Sequence, residues 1–256
     1  MADIVSFYSY KGGVGRSISL SNVAVLLARQ GHRVVCIDFD LEAGGLHTIF
    51  GIDVKDIQYS ILDLLTMITV PDLPSATLDL TARLDLPNKA GKLWLMPAVS
   101  EAPKVRRLEA VHNMPSLFGE IIEKVEDIYN PHFILVDSRS GFAELASAPL
   151  MRADKLVCVL RPNRQNADGL KILLDILEIF PKPPMIFLVL SQIPDVPEAA
   201  TRVESLQAML GHGREFGARI PYVPELALEE SVSAMTAPNS TLTRCYLPIV
   251  HWLAGE

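Results

Sequence analysis

Apolar positions along this chain fall into two alternating kinds of segment. Short runs nearly continuous in Val, Ile, Leu and Phe occur at 3–9, 33–38, 92–98, 132–137, 155–160, 185–191 and 218–223. A strand covered on both faces has no wet side to alternate with, so such runs predict strands of a parallel sheet. Between them lie segments with helical spacing, at 17–31, 114–129, 167–180 and 198–211. The first ends at Gly31, a residue type that closes helices without steric strain. Strand and helix alternate, which predicts an α/β fold: a doubly wound, mostly parallel β-sheet flanked by helices.

Residues 52–91 break this rhythm. They hold a helical stretch at 59–68, a proline-bounded linker, and TLDLTARLDL, which alternates at Leu78, Leu80, Ala82, Leu84 and Leu86 like a strand with one wet face. This reads as an insertion on a single domain spanning 1–256, without internal repeats.

Composition narrows the class. The chain has 256 residues, 49% hydrophobic and 21% charged, which suits a globular core and argues against disorder. Its net charge of −7 argues against general affinity for nucleic acid or anionic lipid. Cys36 and Cys158 sit inside apolar runs and Cys245 lies far from both, so they read as small hydrophobes, not metal or redox pairs. No signal-peptide pattern opens the chain, and no apolar stretch reaches membrane-spanning length, so a cytoplasmic location is expected.

The chemistry concentrates after the first strand, in SYKGGVGRS at 9–17. Gly12, Gly13 and Gly15 allow backbone N–H groups to turn inward around a polyphosphate, and the following helix start adds further donors. Ser17 occupies the position whose hydroxyl meets Mg²⁺ in phosphate-binding loops. Two positions depart from the standard G-x-x-x-x-G-K-[ST] pattern: Tyr10 replaces its first Gly and Arg16 its Lys. Asp38 and Asp40 end the second strand, and Asp137 ends the fourth apolar run shortly before Gly141. Residues past strand ends of a parallel sheet face the ligand crevice, where carboxylates can hold metal-bound water or orient an attacking water.

K-G-G-V-G-[KR]-[ST] followed by D-x-D resembles the deviant Walker A pattern of MinD/ParA-like ATPases. The resemblance extends to Asn22, the D-S-R-S-G loop at 137–141 and V-P-E at 223–225, and is nearest to a bacterial subgroup carrying Arg in the loop. It implies ATP and Mg²⁺ as ligands and a slow ATPase that dimerises around ATP to control a partner protein. Gly12, Gly13, Val14, Gly15, Arg16, Ser17 and Ile18 would then cradle the phosphates, and Gly141 would close on the γ-phosphate. Lys11 would reach the nucleotide of the other subunit, and Asp40 would position the attacking water. Ser17, Asp38 and Asp137 would serve the metal, while Pro224 and Glu225 would line the adenine by backbone contact. The family usually has Asn where Ser191 and Gln192 end their strand.

Arg16 keeps the positive charge of the Lys it replaces but spreads it over a fork of donors, which suits binding and predicts slow turnover. Arg139, Arg161 and Arg164 fall near strand ends and read either as ligand contacts or as solvated loop residues. A membrane-binding terminal helix is not expected, because Arg244 is the firm cation near the end and Pro248 would interrupt a helix there. DNA binding is not expected either: residues 198–256 hold four Arg and no Lys against seven Glu, and KVRR at 104–107 reads as a solvated loop. The alternative function is a nucleotide-binding scaffold or sensor with little or no hydrolysis. A metabolic enzyme on the same fold lacks support from an iron-cluster cysteine pair or a distinct substrate motif.

Overall fold

The computed structural model describes residues 1–67, 71–88, 90–108, 111–141, 144–210, 214–227 and 231–256. Its centre is a sheet of eight strands in the order β3-β4-β2-β5-β1-β6-β7-β8. These are β1 (Asp3–Tyr8), β2 (Arg33–Phe39), β3 (Leu78–Asp79), β4 (Lys92–Met96), β5 (Phe133–Ser138), β6 (Lys155–Leu160), β7 (Met185–Ile193) and β8 (Phe216–Pro221). All neighbours are parallel except β3, which runs against β4.

Alternate side chains of each strand go to opposite faces, and helices cover both. On one face Val34, Cys36, Leu93, Leu95 and Leu135 pack against α1 (Arg16–Arg29) and the terminal helices. On the other, Val35, Ile37, Ile134 and Val136 meet α3 (Ile61–Thr66) and α5 (Met114–Tyr129). Leu156, Cys158, Leu188 and Leu190 continue that face under α7 (Arg164–Glu178) and α8 (Glu198–Leu210). The double-sided burial explains why these strands lack a polar alternation. Short helices α2 (Leu46–Ile49), α4 (Ala102–Leu108) and α6 (Glu144–Arg152) follow strands, and α9 (Ser233–Thr236), α10 (Thr241–Arg244) and α11 (Leu247–Ala254) end the chain.

The sheet order reverses direction around β1. From β1 the chain crosses over β5 to reach β2, whereas β6 lies on the other side. That reversal opens a crevice at the carboxyl ends of β1, β2 and β5, the place where parallel sheets bind ligands.

Two local expectations need correction. TLDLTARLDL forms only the two-residue β3, because the Asp79 side chain accepts the Thr81 N–H (2.8 Å) and a 3-10 turn follows at Thr81–Arg83. Leu80 and Leu86 are still buried, but Ala82 is exposed. KVRR lies inside α4, with Arg106 and Arg107 in its last turn, where the helix dipole favours cations. The terminal segment is interrupted as expected: α10 ends at Arg244 and α11 starts at Leu247 with Pro248 in its first turn, where a residue needs no N–H partner. That helix buries Ile249, Val250 and Leu253 against the core. The helix expected over 59–68 is α3, and residue 68 lies outside the described residues.

Candidate functional site

The loop joining β1 to α1 is shaped by left-handed glycines. Gly13 has φ +69° and Gly15 φ +87°, a region costly for any residue with a side chain. Gly15 also stands where a Cβ would lie 3.0 Å from the Ser191 hydroxyl. The loop is mounted from below by Tyr10, whose ring packs so closely on Gly169 of α7 that an added Cβ there would meet it at 2.1 Å. This explains a bulky residue at a position where the standard pattern has glycine. Two side chains hold the Gly13 carbonyl from outside: Gln192 Nε2 donates to it at 3.1 Å, and the Arg161 guanidinium donates to it as well. Gln192 itself adopts φ +55°, so the end of β7 bends toward the loop.

Beneath the loop the carboxylates meet. Asp38 and Asp137 are register partners on β2 and β5, and both are buried. Asp38 accepts the N–H groups of Asp40 (3.2 Å), Gly45 (2.9 Å) and Leu46 (3.0 Å), which folds the chain after β2 back over its own strand end. Burial and then the facing Asp137 push the Asp38 pKa up to about 7, against the pull of the Leu46 and Asp40 amides. Asp137 receives the Ser17 hydroxyl at 2.5 Å on one oxygen and Arg16 Nε on the other. Arg16 also reaches Asp40 at 3.1 Å. Burial works against the Arg16 charge, but Asp137 and then Asp40 outweigh it, so its pKa is raised.

A cavity of about 630 Å³ opens above this floor. Gly12, Gly13, Gly15, Arg16, Ser17 and Ile18 line it from the loop, and Asp40, Glu42, Asp137, Arg139 and Ser140 from the strand ends. The Ser9 hydroxyl, buried and without a hydrogen-bond partner, also faces it. A second cavity of about 310 Å³ shares Gly13, Gly15 and Ile18 and continues past Ser191 and Gln192 to Tyr222, Val223 and Leu226.

Most expected site residues therefore converge: Gly12, Gly13, Gly15, Arg16, Ser17, Ile18, Asp40 and Asp137 share one chamber. Others lie elsewhere. Val14 is buried in the core, and Asp38 lies under the floor with its oxygens occupied by amides. Lys11 is exposed, its ammonium 5.4 Å from the Tyr10 ring centroid, outside the lining of this chain's own cavity. Gly141 has φ +81° and is tied down by its N–H to the Ser9 carbonyl (3.4 Å) and by its carbonyl to the Tyr8 hydroxyl (3.1 Å). Pro224 and Glu225 are exposed in a 3-10 turn, while their neighbours Val223 and Leu226 line the second cavity. Asn22 staples α1 to α9, accepting from the Ser233 hydroxyl (2.8 Å) and the Ala234 N–H (2.9 Å).

Sequence reasoning missed Glu42, which pairs with Arg139 across the mouth of the first cavity. Its position two residues past Asp40 was the available signal. Among the described residues no group of three or more His, Cys, Asp or Glu side chains is placed to hold a metal ion alone. Ser17 and Asp137 nonetheless bring two hard oxygens together beside a space sized for phosphates, and Mg²⁺ is commonly held by one or two protein oxygens plus phosphate.

Residues 2–184 match the family model described as the AAA domain. The chain belongs to that family. The curated proteins it resembles include septum site-determining MinD proteins and uncharacterized ATP-binding proteins. It is 28% identical over 167 residues to the septum site-determining protein MinD of Helicobacter pylori, covering 63% of this chain and 54% of that one. It is 25% identical over 174 residues to an uncharacterized ATP-binding protein of Methanocaldococcus jannaschii, covering 68% and 58%. The chain thus spans a little over half the length of the curated relatives it matches. Its fold is that of MinD from Pyrococcus horikoshii, solved with Mg-ADP, at a TM-score of 0.76 and 20% identity over 99% of this chain and 96% of that one. A ParA family ATPase from Chlorobium tepidum matches at a TM-score of 0.74 and 21% identity over the whole of both chains. No helix among the described residues is long and apolar enough to cross a membrane.

Proposed function

We propose that this AAA-domain chain is an ATP-dependent dimerising switch with slow Mg²⁺-dependent hydrolysis. One observation carries the reading: the glycine loop, Ser17, Arg16 and the strand-end carboxylates Asp40 and Asp137 line one 630 Å³ chamber at the sheet's switch point. Loop N–H groups and the start of α1 suit the β- and γ-phosphates, and the unpartnered Ser9 hydroxyl offers a further donor. Ser17 and Asp137 would hold Mg²⁺, which when bound neutralises phosphate charge. Asp40 would orient the attacking water, and Asp38 fixes the backbone that carries Asp40. The smaller chamber suits the base, with Pro224 and Glu225 in the turn that borders it.

Lys11 supports the dimer. In this reading Lys11, exposed on the glycine loop and not part of the lining of its own chain's chamber, would reach a nucleotide held by a second copy. A protein partner is part of the proposal because a similar structure is a MinC:MinD complex from Aquifex aeolicus, at a TM-score of 0.76 and 23% identity over 100% and 97% of the two chains. A second reading, nucleotide binding without turnover, draws on one observation: Arg16 turns Nε and one Nη to the two carboxylates that hydrolysis would use.

Calorimetry with ATP and Mg²⁺ tests the central step, and its loss in wild type would end this reading. Light scattering then tests the switch. Asp40→Ala with ATP is expected as a trapped dimer and Lys11→Ala as a monomer. Single-turnover hydrolysis separates the two readings.

A further inference from the structure

We propose that Arg139 is a catalytic arginine supplied within the same chain, parked on Glu42 until a γ-phosphate draws it inward. This rests on the nucleotide reading above and adds a residue to it.

Arg139 and Arg16 are the cations among the described residues lining the phosphate chamber, and their surroundings differ. Arg16 is clamped beneath the floor by Asp137 and Asp40 with almost no solvent contact. Releasing it would strand buried carboxylates. Among the described residues Arg139 pairs with Glu42, and both side chains are about a third exposed, at 32% and 40%. Exposed pairs of this kind add little net stability, so a phosphate can compete for the guanidinium.

The position of Arg139 is set by backbone, not by that ion pair. Two residues later, Gly141 is tied to the Ser9 carbonyl and the Tyr8 hydroxyl, directly under the glycine loop. Ser140 lies against Gly12, whose added Cβ would sit 4.0 Å from its hydroxyl. The segment is thus held on the chamber wall by contacts that do not involve the Arg139 side chain. Glu42 explains itself in the same way. The chamber lining carries three carboxylates, Asp40, Glu42 and Asp137, against two guanidinium groups, a balance adverse to a polyphosphate. Glu42 orients no nucleotide group in this arrangement; it holds Arg139 at the rim.

In ATP + H₂O → ADP + phosphate, the water oxygen bonds to the γ-phosphorus and the bond from that phosphorus to the β–γ bridging oxygen breaks. The electron pair stays on the bridging oxygen as part of ADP, and the water protons end on the released phosphate or in solvent. Arg139 keeps all its protons and offers forked N–H donors to the γ-phosphoryl oxygens as charge shifts in the transition state.

The test uses the full chain with Mg-ATP and Mg-ADP. Arg139→Ala is expected to lose about 10²–10³-fold in kcat while Mg-ADP affinity stays within about threefold. Arg139→Lys should recover part of the rate. Glu42→Gln should lower the KM for ATP by up to about fivefold, because Arg139 no longer leaves a counter-ion. If wild type binds but does not turn over, the readout is the ratio of ATP to ADP affinity, expected to fall at least about tenfold in Arg139→Ala. Arg139→Ala with rate and affinity ratio within threefold of wild type overturns the proposal while leaving nucleotide binding intact. Equal losses of ATP and ADP affinity also overturn it, since they would make Arg139 a general anchor. A wild type that binds no Mg-ATP fails the underlying reading instead.

Discussion

The floor of the phosphate chamber holds an arginine between two carboxylates and the rim holds one on a single carboxylate, and they are built for opposite purposes. At the floor, Arg16 joins Asp137 and Asp40 where side-chain exposure is 9%, 2% and 18%. At the rim, Arg139 meets Glu42 with water on several sides. Breaking a buried pair leaves an uncompensated charge and costs about 3–5 kcal/mol, whereas an exposed pair contributes about 0–1 kcal/mol. The same two chemical groups, guanidinium and carboxylate, therefore make a fixture in one place and a movable contact in the other. Burial decides which, and burial here follows from strand position: Asp137 is register partner to Asp38 between central strands, while Glu42 lies in the turn beyond β2.

The largest expected effect breaks the floor. Arg16→Ala should destabilise the fold by about 3–5 kcal/mol, read as a lowered urea midpoint, because Asp137 and Asp40 lose their shared counter-ion. Arg16→Lys should lose less, since an ammonium keeps the charge but cannot fork to both carboxylates. A change below about 1 kcal/mol for Arg16→Ala would mean that the floor is no firmer than an exposed pair, and the contrast with the rim would vanish.

The residues that build the floor were legible from the chain, but the pairing of Arg16 with Asp137 and Asp40 instead of with phosphate was not, and neither was the rim. Continuous apolar runs announce strands buried on both faces, and glycines followed by Ser17 announce a loop that wraps phosphate. Asp38 and Asp137 end such runs, so topology alone brings them together. Pairs that depend on how loops fold back carry no such mark. Glu42 and Arg139 are 97 positions apart, Arg161 and Gly13 are 148 apart, and Gln192 needs a left-handed backbone to reach the same carbonyl. Short-range patterns also misled where a side chain captured the backbone. Asp79 turned an alternating stretch into a 3-10 turn.

A pair of intermediate burial calibrates the contrast. Asp63, 4% exposed, takes Lys104 at 2.8 Å and the Ser60 amide at the same distance, and its hydrogen bonds secure the first turn of α3. Burial alone would raise the Asp63 pKa, but the hydrogen bonds from Lys104 and Ser60 outweigh it, so the pKa is lowered. A carboxylate depressed in the folded state adds stability above its unfolded pKa of about 3.9, and loses it as pH falls through the lower folded value. Asp63→Asn should therefore cost about 1–3 kcal/mol at neutral pH, between floor and rim. The gap from wild type should close on acidification below about pH 4, measured by urea unfolding at each pH. A gap that stays constant down to pH 2 would show that the charge on Asp63 contributes nothing.

The smallest expected effect sharpens the rim itself. A double-mutant cycle with Arg139→Ala, Glu42→Ala and both together isolates the pair from whatever else each side chain touches. Unfolding free energies without nucleotide should give a coupling below about 1 kcal/mol, because both groups stay hydrated and holding them together costs side-chain entropy. Raising the salt from about 0.05 M to about 0.5 M should shrink that coupling further, since the screening length falls to about 4 Å, comparable with the charge separation of an exposed pair. The floor should not respond this way: ion screening does not penetrate between Arg16 and Asp137. A rim coupling above about 2 kcal/mol that persists at high salt would mark a second fixture, too costly for a phosphate to displace. Arg139 would then be held on Glu42 in every state of the protein, and the division of labour between floor and rim would be wrong.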